Sequence, residues 1–164
     1  GLEKVQLEDV IMLSDVDEIP NPYLIEKVKF ELGIKVFKLP TFYYYLNVLT
    51  NDVAMCTRIF FAEEIKKRSM SEIRVAGDKL YTKKTGWHFS FLGDEKFIKN
   101  KIENFSHQEF NNDLVKDNIS LNIENGKDIF NREGFKTKYV KMGSNYPNYI
   151  MKNLKKYQHL IKQP

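Results

Sequence analysis

Cysteine is almost absent from the chain. Cys56 stands alone among 164 residues, which excludes an intramolecular disulfide and a multi-cysteine zinc site as staples of the fold. Glycine and proline are sparse, at eight and five residues, and the glycines form neither a phosphate-cradling loop nor a Gly-x-Ser-x-Gly elbow. With no activating neighbour beside Cys56 in sequence, acyl-enzyme chemistry has no support. No apolar stretch approaches the ~18 residues of a membrane-spanning helix. The N-terminus also lacks the basic, apolar, small-residue order of a signal peptide, so the chain reads as soluble as given.

What is present is enough for a core. Hydrophobic residues make up 42% and aromatics 13%, from 12 Phe, 9 Tyr and 1 Trp, which excludes wholesale disorder. The length suits one ordinary domain over residues 1–164. Gly1 is not an initiator methionine and the first apolar run starts at Val10, so the chain reads as a piece of a longer protein. The net charge of +4 is unevenly spread: residues 135–164 hold seven lysines and no acid, leaving residues 1–134 at −3. That basic end reads as a solvated helix face, with contact to an anionic membrane surface as the alternative. No aromatic stacking motif accompanies it, so nucleic acid is not an expected partner.

Val10 to Leu13 is a continuous apolar run that suits a strand buried on both faces of an α/β sheet. It stops in Ser14-Asp15-Val16-Asp17-Glu18, at the strand end where open α/β sheets bind ligands. Asn21 and Pro22 read as N-cap and first residue of a three-turn helix carrying Leu24, Ile25, Val28 and Leu32, stopped by Gly33. Ile34 to Leu39 and Thr41 to Val48 read as strands parted by Pro40, with Tyr43, Tyr44 and Tyr45 asking for a sheet with two useful faces. Met55 to Phe61 is a further strand, Ala62 to Met70 a short charged helix, and Gly86 to Phe91 a strand. Asp94 caps a helix bearing Phe97, Ile98, Ile102 and Phe105. Residues 106–134 are Asn-rich and suit short helices or loops, and Pro147 opens a last helix with Tyr149, Ile150, Leu154, Tyr157 and Leu160.

Asp15 and Asp17 carry the strongest chemical signal. Carboxylates at i and i+2 behind a hydrophobic strand share a face or converge through a turn, and their hard oxygens suit Mg²⁺ or Mn²⁺ bridging a diphosphate; a bare Asp-x-Asp is otherwise a common surface turn. In Gly86-Trp87-His88-Phe89-Ser90, Trp87 and His88 point to opposite faces of a strand, so only one faces a site directly. The bland alternatives are a hydrogen-bonded structural histidine and a core tryptophan. His107 and Glu109, two apart, diverge on a helix and converge on a strand or loop.

Four ordered segments, Ser14-Asp15-Val16-Asp17-Glu18-Ile19-Pro20, Thr85-Gly86-Trp87-His88, Lys101 to Phe110 and Tyr146 to Asn153, together resemble glycosyltransferase family 17, which includes the β-1,4-mannosyl-glycoprotein 4-β-N-acetylglucosaminyltransferase. The resemblance spans nearly the whole chain and implies a GT-A-like α/β fold, here N-terminally truncated, that retains the metal-binding and acceptor part. It implies UDP-GlcNAc as donor, a mannose-type glycan as acceptor, a divalent cation (Mn²⁺ or Mg²⁺) and inversion at the anomeric carbon. The chain departs from the family pattern in Phe91-Leu92-Gly93-Asp94 and in an Asn-rich insertion near residues 111–131, which bear on the acceptor more than on the donor.

Under that resemblance Asp15 and Asp17 match the metal motif, His88 is placed to bind metal or phosphate, Trp87 to pack the sugar, and His107 to contact donor or acceptor. Inversion requires a base for the acceptor hydroxyl. Glu109 is the first candidate, with Glu103 and Glu18 behind it. A haloacid-dehalogenase-like phosphatase also begins with a hydrophobic strand and Asp-x-Asp, but Glu18-Ile19-Pro20 follows here in place of its pattern. An inert carbohydrate-binding or scaffold domain is the remaining reading. The compartment implied is the cytoplasm for a bacterial or viral protein, or the Golgi lumen for a eukaryotic parent with an upstream anchor.

Overall fold

A computed structural model describes residues 2–163; Gly1 and Pro164, the limits of the expected domain, lie outside them. The secondary structure is mixed α/β. Strand β1 (Val10–Leu13) matches the first apolar run and gives way to the polar loop at Ser14, and a short β2 (Glu18–Pro20) follows. Helix α1 (Pro22–Val28) starts as the sequence predicts, with the Asn21 side chain accepting from the Tyr23 N–H and Pro22 in the first turn. It lasts two turns rather than three. Leu32 is exposed and Gly33, at φ +80°, lies in the loop beyond. A Cβ at Gly33 would stand 2.9 Å from the Asp78 carboxylate that accepts the Ile34 N–H, so only glycine allows this close approach.

Strand β3 (Lys35–Tyr43) runs straight through Pro40, whose fixed φ suits extended backbone at the cost of one donor. The break comes at Tyr44 instead, which takes φ +65°, so the tyrosine run is a strand end and a turn rather than a two-faced strand. β4 (Val48–Phe61) then continues for 14 residues, through the polar segment that alternation alone leaves unassigned. The single charged helix expected from Ala62 is instead a 3₁₀ segment (Ala62–Lys66) and a separate helix α2 (Met70–Val75). Ser69 and Glu72 exchange backbone and side-chain hydrogen bonds in a capping box, which restarts the helix.

β5 (Lys79–Tyr81), β6 (Gly86–Ser90) and α3 (Glu95–Asn104) follow, the last capped by Asp94 as expected. The Asn-rich stretch holds the short helices α4 (Asp113–Asp117) and α5 (Ile119–Asn125). Beyond β7 (Thr137–Tyr139), the last helix α6 covers only Asn148–Lys152, and the chain continues in turns to a 3₁₀ segment at Gln158–Leu160. No helix among the described residues is long and apolar enough to cross a membrane.

The strands form one mixed sheet in the order β1-β4-β3-β6-β2, with β5 parallel to β3 and β7 antiparallel to β4. β1 ends this order with one strand neighbour and leaves Met12 half exposed, which corrects the expectation of a strand buried on both faces. Two compact units divide the chain, Gly1–Pro40 with Val53–His88, and Thr41–Asp52 with Phe89–Pro164. The first packs Val28, Phe37, Leu39 and Ile59 in one cluster and Ile34, Phe60 and Ile73 in another. Ile59 and Phe60 are successive on β4 and so point to opposite faces. The second unit packs Tyr43, Tyr44, Phe91, Ile98, Ile102, Val115, Ile119 and Ile129, with Phe105, Phe130 and Phe135 against them.

Candidate functional site

Within the first unit, the loop after β1 is held by one carboxylate. Glu18 Oε2 accepts from the Ser14 hydroxyl at 2.9 Å, the Asp15 backbone N–H at 3.1 Å and the Thr57 hydroxyl at 3.2 Å. The Ser14 and Thr57 hydroxyls lie 2.8 Å apart, as follows from the antiparallel register that sets Leu13 opposite Arg58. The Glu18 N–H donates to the Asp15 carbonyl, so Asp15, Val16 and Asp17 form a tight projection with Val16 fully exposed.

On the other side, β2 pairs with β6 so that Glu18 stands opposite His88 and Pro20 opposite Gly86. Gly86 has φ +139°, and a Cβ there would lie 2.3 Å from the Ile19 carbonyl. Glycine is what lets the two strands close up and bring His88 to the loop. His88 Nε2 lies 3.5 Å from Asp17 Oδ1.

These groups border a cleft of about 410 Å³ whose lining includes Ser14, Asp15, Glu18, Cys56, Arg58, Arg74 and His88. Arg74, on α2, places one terminal nitrogen 2.9 and 2.8 Å from the two Asp15 oxygens, and this bond raises its already high pKa. Arg58 is buried, and its guanidinium donates to the Met55 and Cys56 carbonyls while Nε has no hydrogen-bond partner among the described residues. Burial pulls its pKa down. Cys56 is affected in the opposite sense: burial first, then Glu18 and the two aspartates, push its thiol well above the usual range. Both causes disfavour the thiolate, the form a nucleophilic cysteine needs.

Among the described residues no three His, Cys, Asp or Glu side chains cluster as a ready-made metal cage. A Mg²⁺-type ion does not need one, because it is usually held by one or two carboxylates and completed by water and substrate phosphate. Asp17 Oδ1 and His88 Nε2, 3.5 Å apart, are the two expected ligands that stand together, while Asp15 is paired with Arg74. In donor chemistry, though not as an assembled cage, the two carboxylates of the loop suit the expected cation.

The other predicted residues are placed as follows. Trp87 is half-buried on β6 opposite Ile19, and it is His88, not Trp87, that borders the cleft. Glu103 is exposed on α3. His107 and Glu109 belong to the second unit. His107 caps a 3₁₀ turn (Gln108–Phe110) that contains Glu109, and the two converge, with His107 Nδ1 3.0 Å from Glu109 Oε1 and both side chains about three-fifths exposed. A backbone hydrogen bond and then the His107 contact hold the Glu109 carboxyl below its ordinary value.

Sequence reasoning missed Thr57, Arg58 and Arg74. For the first two the signal was two adjacent polar residues inside the apolar strand Met55 to Phe61; for Arg74 it was the Ser69-x-x-Glu72 capping box that starts a helix just before it. Comparison of the chain with protein-family models, with curated proteins and with solved structures gives no match.

Proposed function

We propose that this chain is the metal-binding and acceptor part of an inverting N-acetylglucosaminyltransferase of GT-A-like fold, which moves GlcNAc from UDP-GlcNAc to a mannose-type glycan. The observation that supports this reading best is the Asp15-Val16-Asp17 projection at the carboxyl end of β1, whose Asp15 borders a cleft together with His88 and two arginines and whose Asp17 lies 3.5 Å from His88. Asp15, Asp17 and His88 are the residues that would hold the divalent cation. When bound, it offsets the negative charge that builds on the departing diphosphate.

The chain's own residues divide the remaining work. Glu18 is occupied by three donors and keeps the loop in shape, which favours a positioning role over that of base. Glu109 is ionised at neutral pH and reachable from solvent, and it takes the acceptor proton in this reading, with Glu103 and His107 as the alternatives.

The test is donor turnover by the intact protein. Transfer from UDP-GlcNAc should require Mn²⁺ or Mg²⁺ and stop with EDTA. Asp17→Asn should lower kcat/KM by at least about 100-fold while melting within a degree or two of the unsubstituted protein, since it removes a charged ligand and preserves volume. Full transfer by Asp17→Asn, or release of phosphate from simple phosphomonoesters in place of transfer, would sink the assignment.

A further inference from the structure

We infer that Arg58 and Arg74 form an anion-holding wall of the cleft, and that Arg74 exchanges the Asp15 carboxylate for the phosphate oxygens of a diphosphate-bearing ligand when that ligand binds. The identity of the ligand rests on the transferase reading; the arginine pair rests on geometry alone.

Two independent observations point to an anion. Arg58 is 5% exposed and borders the cleft, yet its Nε has no hydrogen-bond partner among the described residues. A guanidinium N–H buried this deeply costs free energy until something accepts from it. Arg74 borders the same cleft from α2 and, among the described residues, is held by an ion pair in which both side chains are at least half exposed. Such a pair contributes little net stability and is easily exchanged, whereas a guanidinium fork matches phosphate oxygens well.

The exchange also accounts for the company Arg74 keeps. Asp15 and Glu18 line the cleft too, so an anion arriving alone meets two carboxylates. Arg74 neutralises Asp15 while the cleft is empty. As it turns to the anion it uncovers Asp15 for a cation, and the cation in turn removes the repulsion. Anion and cation therefore favour each other's binding, and by linkage the favour is mutual.

Arg74→Gln, at an exposed position, reads the exchange through two affinities measured on the intact protein. Calorimetric titration with inorganic diphosphate in the presence of Mn²⁺ should show binding weakened about 10-fold, the loss of one charge-assisted hydrogen bond. Mn²⁺ alone, followed by loss of the free-ion EPR signal, should bind about 3-fold more tightly, because no side-chain cation competes for Asp15. Opposite movement of the two affinities supports the exchange. Movement of only one, movement of both in the same direction, no movement, or failure of the unsubstituted protein to bind diphosphate overturns it. UDP-GlcNAc is the arm that separates the two ideas. If it binds no better than inorganic diphosphate, the transferase reading fails and the arginine pair stands. If it is turned over while Arg74→Gln changes neither affinity, the pair fails and the transferase reading stands.

Discussion

The two units solve the problem of burial differently. In the first, side chains from β4 fill clusters on opposite faces of the sheet, Ile59 on one and Phe60 on the other. In the second, rings carry much of the packing: Tyr43 meets Tyr44, Phe91 and Phe135, and Phe130 meets Phe91, Phe105 and Phe110. Asparagine completes it. Asn47 donates to the Lys162 carbonyl and accepts from the Lys162 N–H, and Asn51 does the same with Gly134 and Lys136. A side-chain amide used this way substitutes for a missing strand neighbour. The difference teaches that the strand-built unit can leave a polar loop standing at a strand end, because its order comes from the ladder. The irregular unit spends its polar side chains on holding its own backbone.

That contrast can be broken at three points, in falling order of effect. Glu109→Gln should lower kcat by about 10² to 10⁴-fold with donor binding nearly unchanged, the range for loss of a general base. Since the Glu109 carboxyl sits below its ordinary value of 4.5, its base form survives as pH falls to that value, and the acid limb of the activity profile should lie below it. A near-normal kcat for Glu109→Gln would return the role to Glu103, Glu18 or His107, and only the return to Glu18 would leave the second unit a scaffold. Phe60→Ala removes a fully buried ring and should cost about 3–5 kcal/mol in urea unfolding, with hydrogen-exchange protection lost first along β1 and β4. Asn47→Ala should cost less, about 1–3 kcal/mol for two hydrogen bonds whose loss leaves the Lys162 carbonyl and N–H without the amide. If Asn47→Ala proves harmless, the asparagines are solvated decoration and the contrast between the units collapses.

The strands and caps written in local chemistry were legible: Val10 to Leu13, Gly86 onward, Asn21 and Asp94 all act as their residue types suggest. Long-range pairing was not. β2, β5 and β7 are three residues each, too short for alternation to declare them, and they exist because a neighbouring strand recruits them. The run of three tyrosines misled in the same way. Tyr44 adopts its left-handed conformation with its hydroxyl donating to the Lys127 carbonyl, 83 residues away, and no local pattern encodes that partner. At the site, Asp15 and Asp17 could be found from spacing, but the cations facing them come from β4 and α2, which only the fold brings near.

Cys56 offers a use unrelated to any chemistry the protein performs. Its thiol is half-buried, and burial first and then the neighbouring carboxylates disfavour its thiolate, so alkylation is fastest when the surrounding residues part. With no other cysteine in the chain, each modification event counts one opening. The single sulfur thus serves as a stopwatch for breathing at the cleft, and a ligand seated there slows it in proportion to its occupancy.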